Sequence, residues 1–121
     1  MSQFIDFASK STNPDNDKVF DIDPEEVFEK KDQIQLIDVR RPPEFEGELG
    51  HIEGAKLIVL DYLPQKFKEI DPEKTIVFVC RSGRRSETAT NFIQDQGYKS
   101  AYNLKGGMIA WNEKNLPVIK G

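Results

Sequence analysis

Two residue types that often carry chemistry are scarce in this sequence, which contains one cysteine and one histidine. A single cysteine excludes a disulfide within the chain, suits a reducing compartment and leaves the thiol free to react. One cysteine and one histidine do not form a usual zinc set without several clustered carboxylates, and no suitable cluster is visible. The sequence therefore predicts a free, reactive cysteine and no metal site.

Long apolar runs are also absent, since no stretch approaches the roughly 20 residues that a membrane-spanning helix requires. The first six residues, MSQFID, lack the basic start and apolar core of a secretory signal. We therefore expect a cytoplasmic protein without membrane contact. A formal net charge of -4 over 121 residues argues against nucleic-acid binding. Nothing in the sequence demands more than a monomer.

The composition, 37% apolar and 31% charged residues, is ordinary for one small globular domain. Apolar and β-branched runs predict strands at residues 19–22, 34–39, 55–59, 75–80 and 100–104. A helix is predicted to begin after Asp23, with Glu26 closing a capping box. Further helices are predicted from Leu60 to Ile70, with Asp61 as the cap, and over residues 86–96 and 108–115. This alternation is typical of a mainly parallel α/β sheet. Residues 9–18 are polar and turn-rich, so residues 1–18 are predicted to be a flexible N-terminal extension.

The candidate site lies at the end of the most apolar run, TIVFVC at residues 75–80. That run reads as a central strand covered on both faces. Ligands of open α/β sheets bind outside the carboxyl ends of the strands, and here that end is Cys80.

The segment CRSGRRS at residues 80–86, which we call the cysteine loop, joins this strand to a helix. A helix N-terminus favours anions, and three arginines near the thiol add positive charge: Arg81, Arg84 and Arg85. Gly83 allows a positive φ, so that successive backbone N–H groups can converge on one atom. The loop is therefore expected to stabilise a thiolate and attract an anionic substrate.

The single histidine, His51, lies in a different loop, which disfavours the nucleophile and histidine pair of many hydrolases. Sulfur transfer needs no such base, because a thiolate attacks a sulfane sulfur and the leaving group departs as an anion. The alternative for Cys80 is a buried structural thiol, which is common for a cysteine that ends a strand. The glycine and arginines that follow favour the chemical role.

Three stretches of the sequence together resemble the rhodanese family. The matching segments are LIDVR at 36–40 with EF at 44–45 and GHIEGA at 50–55, VCRSGRRS at 79–86, and KGGMIAW at 105–111. The second fits the family's Cys-x-x-Gly-x-Arg loop. Any one segment is moderately specific, whereas the three in this order make a strong signal over residues 19–119.

The resemblance implies a three-layer α/β sandwich around a five-stranded, mainly parallel sheet, formed by residues 19–121. It implies a sulfurtransferase that needs no cofactor, with Cys80 as the nucleophile and thiosulfate as donor. The acceptor would be cyanide, a thiol or a thioredoxin-like protein. The backbone of residues 81–85, including Ser82 and Gly83, would surround the persulfide, with Arg81 and Arg85 favouring the donor. Arg84 is free to face outward and select partners.

Three further residues match family positions that support the loop. Asp38 and Arg40 are expected to form a buried ion pair or a brace for the cysteine loop, because buried charges need partners. Glu44 is expected to brace an arginine near the pocket. The spacing between Glu44 and the Gly-His pair is two residues longer than usual in the family, which leaves the placement of Glu44 open.

Other matched residues are expected to be structural. His51 is expected to open a strand and to bond to backbone. Met108 and Trp111 are expected to pack in the core from the last helix.

Three alternative functions stay open at this level. A phosphatase of the related dual-specificity type needs an arginine six residues after the cysteine, where this sequence has Ser86. A persulfide carrier with little thiosulfate activity would use the same loop. A binding module on the same scaffold often lacks the cysteine, which is intact here.

Overall fold

The computed structural model describes residues 3–121, so Met1 and Ser2 of the expected extension lie outside the described residues. Its strands are β1 (Ser11–Asn13), β2 (Asn16–Ile22), β3 (Gln35–Asp38), β4 (Lys56–Leu57), β5 (Ile76–Val79) and β6 (Ala101–Leu104). They form one sheet in the order β1-β2-β6-β5-β3-β4, and only β1 and β2 pair antiparallel. The mainly parallel α/β sheet is confirmed, with six strands instead of five.

The sixth strand comes from the segment that was expected to be a flexible extension. β1 and β2 form a hairpin in which Ser11 pairs with Asp21 and Thr12 with Phe20. Upstream of the hairpin, the Glu26 carboxylate accepts hydrogen bonds from the backbone N–H groups of Ala8 and Ser9. The polar composition of this segment suits an edge strand, which needs no apolar run because one side faces solvent.

The helices are α1 (Pro24–Lys30), α2 (Pro42–Phe45), α3 (Leu63–Lys66), α4 (Arg84–Asp95) and α5 (Gly107–Glu113). The capping box expected at the start of α1 is absent. Asp23 has the extended backbone of a cap but makes no capping hydrogen bond, and Glu26 is occupied with residues 8 and 9. The short helix α2 was not predicted from the sequence.

The segment from residue 60 to 70 is broken into turns instead of forming one helix. 3₁₀ turns at Leu60–Tyr62 and Phe67–Glu69 flank α3, and the Asp61 side chain contacts Arg41 instead of capping. Pro64 lacks the N–H that a continuous helix would require at the junction.

Two apolar cores lie on opposite faces of the sheet, and β5 supplies both. Ile76, Phe78 and Cys80 face one core with α3 and α4, whereas Val77 and Val79 face the other with α1 and α5. This alternation produces the three expected layers and places Cys80 at the carboxyl end of a fully buried strand. Within residues 3–121, no helix is long and apolar enough to cross a membrane.

Candidate active site

The cysteine loop places a backbone N–H group and a hydroxyl group beside the Cys80 sulfur. Gly83 has φ of 103°, and its N–H lies 3.0 Å from the Cys80 Sγ. The Ser86 hydroxyl oxygen lies 3.2 Å from the same sulfur. L residues rarely adopt this backbone conformation, so glycine at position 83 lets the N–H reach the sulfur without strain. Because Gly83 occupies the capping position, α4 begins at Arg84, two residues earlier than expected.

The first turn of α5 holds the other side of the loop. The N–H of Met108 donates to the Cys80 carbonyl at 2.9 Å, and the N–H of Ile109 donates to the Arg81 carbonyl at 3.0 Å. Gly107, with φ of 60°, makes this approach feasible, since a Cβ there would lie 2.5 Å from both carbonyl oxygens. This role of Gly107 was not predicted, although two successive glycines before a helix indicate a close backbone approach.

Glu44 and Arg85 form a two-pronged ion pair beside the loop. Both carboxylate oxygens accept from the guanidinium at 2.7 Å. The hydrogen bond from Arg85 is the main cause that lowers the pKa of Glu44 to about 2, and Glu44 in turn raises the pKa of Arg85. Glu44 also accepts the N–H of Arg41 at the start of α2. The longer spacing before Gly50 therefore does not prevent Glu44 from bracing an arginine.

The expected ion pair between Asp38 and Arg40 is present, and both side chains are fully buried. Asp38 accepts from the Arg40 Nε at 2.9 Å and from Nη2 at 2.7 Å. Arg40 also donates to the carbonyls of Gly50 and Glu44, at 2.8 and 3.2 Å. The pair therefore ties β3 to the segment that presents Glu44.

The remaining residues of the loop face outward. Arg81, Ser82 and Arg84 are exposed. Arg81 lines a cavity of about 190 Å³ together with Glu48 and Leu49 from the longer segment before Gly50. Arg84 lines a separate cavity of about 270 Å³ that lies against β1 and β6. The cysteine loop therefore presents a positively charged side chain on each of two sides, Arg81 on one and Arg84 on the other.

His51, Met108 and Trp111 occupy structural positions. His51 forms a bridge with Ile119, and its Nδ1 lies 3.0 Å from the Phe45 carbonyl while its ring stacks on the Phe45 ring. Met108 and Trp111 are fully buried in the core. The predictions of backbone bonding and core packing are confirmed. His51 does not open a strand as expected, because it forms only an isolated bridge and β4 begins at Lys56.

The comparisons with known proteins agree with this geometry. The rhodanese-like domain family matches residues 23–114. A sulfurtransferase of Allochromatium vinosum is 34% identical over 104 residues, which are 84% of this chain and 95% of that protein. The thiosulfate sulfurtransferase GlpE of Vibrio cholerae is 26% identical over 98 residues, covering 81% of this chain and 91% of that protein.

Solved structures share the fold of this chain. A rhodanese-related protein from Thermoplasma volcanium superimposes with a TM-score of 0.76 and is 27% identical, over 82% of this chain and 96% of that one. Sequence and fold agree, and the chain belongs to the rhodanese-like family of sulfurtransferases.

Proposed function

We propose that the protein transfers the sulfane sulfur of thiosulfate to a thiophilic acceptor through a persulfide on Cys80. The observation that carries the proposal is the Gly83 N–H, which lies 3.0 Å from the sulfur at the carboxyl end of the central strand. A backbone donor fixed in a buried site stabilises an anionic sulfur without having to reorganise during the reaction.

The chemistry balances in two steps. The Cys80 thiolate attacks the outer sulfur of thiosulfate, a new S–S bond forms, and the S–S bond of thiosulfate breaks with its electron pair leaving on sulfite. The anionic acceptor, such as cyanide, then attacks the outer sulfur of the persulfide and leaves as thiocyanate, which restores the thiolate. This is a ping-pong scheme, and neither step needs a general acid.

The charges around the loop support an anionic donor. Arg81 is exposed at the cavity, whereas Arg85 is held in place by Glu44. Arg81 is therefore the side chain that would bind thiosulfate, and Arg85 would supply a fixed positive field. We expect the acceptor to be cyanide, a thiol or a thioredoxin-like protein, and the protein to act as a monomer in a reducing, cytoplasmic setting.

The same loop argues against phosphate chemistry. A phosphate cradle needs an arginine that turns inward at the sixth position after the cysteine, and that position is Ser86. Arg85 comes one residue earlier and is committed to Glu44 through two hydrogen bonds.

The test compares the two activities in one preparation. With thiosulfate and cyanide, we expect thiocyanate to form and Cys80→Ser to abolish it; with p-nitrophenyl phosphate, we expect no hydrolysis. Arg81→Ala is expected to raise the KM for thiosulfate, whereas Lys99→Ala, which removes an exposed charge ahead of β6, leaves it unchanged. Phosphate hydrolysis without thiocyanate would overturn the proposal.

A further inference from the structure

Asn103 lies on β6, where it pairs with Phe78 of β5, and it is only 1% exposed. Its side-chain amide contacts both residues that approach the Cys80 sulfur. The Ser86 hydroxyl donates to the Asn103 Oδ1 at 2.5 Å, and the Asn103 Nδ2 donates to the Gly83 carbonyl at 3.2 Å. One planar group therefore fixes two separate points of the cysteine loop.

Asp21 on β2 determines the orientation of the Asn103 amide group. The Asn103 Nδ2 donates to the Asp21 Oδ1 at 2.9 Å. A carboxylate only accepts hydrogen bonds, so the amide must direct its NH2 group at Asp21 and its oxygen at Ser86. Asn13, on the antiparallel edge strand, donates to the same Asp21 oxygen at 3.0 Å. The hydrogen-bond chain thus runs from the N-terminal hairpin to the sulfur.

The Ser86 hydroxyl connects Asn103 to the Cys80 sulfur. Ser86 has one hydroxyl hydrogen, and the contact with Asn103 uses it. When Cys80 carries its proton, the thiol can donate to the free lone pair of Ser86. The same contact with Asn103 holds the Ser86 oxygen 3.2 Å from the sulfur. Without Asn103 the Ser86 hydroxyl loses this anchor, so Asn103 influences the sulfur through the position of Ser86.

We propose that Asn103 is a positioning residue for sulfur loading, which holds the Gly83 carbonyl and the Ser86 hydroxyl in register with Cys80, and that Asp21 orients it. The inference rests on the proposed function and deepens it. Asn103 does not touch the donor. Its removal is therefore expected to lower kcat by roughly 10-fold to 100-fold through misplacement of the loop, while the KM for thiosulfate changes by less than about twofold.

A double-mutant cycle tests this path. Asn103→Ala and Ser86→Ala are measured alone and together for the rate of persulfide formation. Because Asn103 acts in part through Ser86, the loss caused by Asn103→Ala should be at least about threefold smaller in the Ser86→Ala background. Thr90→Val is the matched control: Thr90 is buried and bonds to the Ser86 and Tyr102 carbonyls of the same helix and strand, away from the sulfur. Its kcat should match that of the wild type.

Alkylation of Cys80 by iodoacetamide is the second readout, because it requires no sulfur donor. If the wild type does not react with thiosulfate but the alkylation rates show the same coupling, the proposed function fails and the role of Asn103 stands. Additive effects in both readouts, or equal losses in Asn103→Ala and Thr90→Val, would overturn the inference. Should Asn103→Ala not fold, Asn103→Thr replaces it, because threonine favours strands and its hydroxyl oxygen is one bond nearer to the backbone than the amide atoms, so the contacts with Ser86 and Gly83 are both lost. The same coupling with Ser86→Ala is then expected.

Discussion

Replacing Asp38 by Asn should destabilise the protein strongly, because it removes one charge of a fully buried pair. Asp38 accepts hydrogen bonds from three donor groups of Arg40: the backbone N at 3.1 Å, Nε at 2.9 and 3.2 Å, and Nη2 at 2.7 Å. An asparagine keeps one acceptor oxygen but presents an NH2 group to the guanidinium, which also only donates. Arg40 would then remain buried with its positive charge uncompensated.

The expected loss follows from this burial. Breaking a buried ion pair by removing one partner costs about 3–5 kcal/mol. For a domain of this size each kcal/mol lowers Tm by about 3–5 °C, so Tm should fall by roughly 10–25 °C. The bonds from Arg40 to the Gly50 and Glu44 carbonyls would also be disturbed, so the folded variant should show weaker activity.

Thermal unfolding followed by circular dichroism measures this loss, with chemical denaturation as a second estimate. Glu69→Gln is the matched control, since the ion pair between Glu69 and Lys56 has a similar length of 2.9 Å but is about half exposed on each side. It should lower Tm far less than Asp38→Asn does, because an exposed ion pair contributes little to stability. A loss below about 1 kcal/mol for Asp38→Asn would refute the argument that the charge of Arg40 depends on this carboxylate.

Three further predictions concern the surroundings of the loop. Because the pKa of Glu44 is lowered to about 2, its ion pair with Arg85 stabilises the fold fully above the ordinary value of 4.5, and this contribution, at most about 1 kcal/mol for a partly exposed pair, is lost as pH falls toward 2. Wild type and Glu44→Gln should therefore converge in Tm on acidification. Gly107→Ala should reduce the rate of persulfide formation at least about tenfold, because its Cβ would meet the Cys80 and Arg81 carbonyls. Glu26→Gln should cost about 1–3 kcal/mol of unfolding free energy, measured by denaturation, since its carboxylate accepts from residues 8, 9 and 30.

Each of these has an outcome that contradicts it. A Tm difference between wild type and Glu44→Gln that does not change with pH would show that the charge of Glu44 is not the cause. Gly97→Ala is the control for Gly107→Ala, because it has a similar positive φ of 92° but open space around the new Cβ. It should lower stability without slowing persulfide formation, and equal rates in the two variants would contradict the packing argument. An unchanged denaturation midpoint for Glu26→Gln would show that the charge of the Glu26 carboxylate contributes nothing to stability.

The parts of the site that the sequence predicts are those encoded locally. An apolar run that ends in Cys80, a glycine three residues later and a helix start lie within one short segment, so their geometry follows from neighbouring residues. The pair of Asp38 and Arg40 is local as well, since the two residues are two positions apart. Glu44 was expected to meet an arginine, but its partner, Arg85, is 41 residues away and depends on how the intervening segment folds.

The parts that were missed depend on the order of strands. Asp21 and Asn103 are 82 residues apart and meet because β2 pairs with β6. No local signal marks Asn103, because a polar residue in a strand more often faces solvent. The hairpin was missed for a similar reason: its turn residues are visible in the sequence, but the polar strand β1 becomes ordered only by pairing at the sheet edge.

The intact mass of the reduced protein, after incubation with thiosulfate and removal of excess reagent, tests directly whether Cys80 forms a persulfide. We expect a gain of one sulfur atom, located on Cys80 by peptide mapping, released by cyanide as thiocyanate and absent in Cys80→Ser. An unchanged mass in a folded protein whose Cys80 still reacts with iodoacetamide would contradict thiosulfate as the donor.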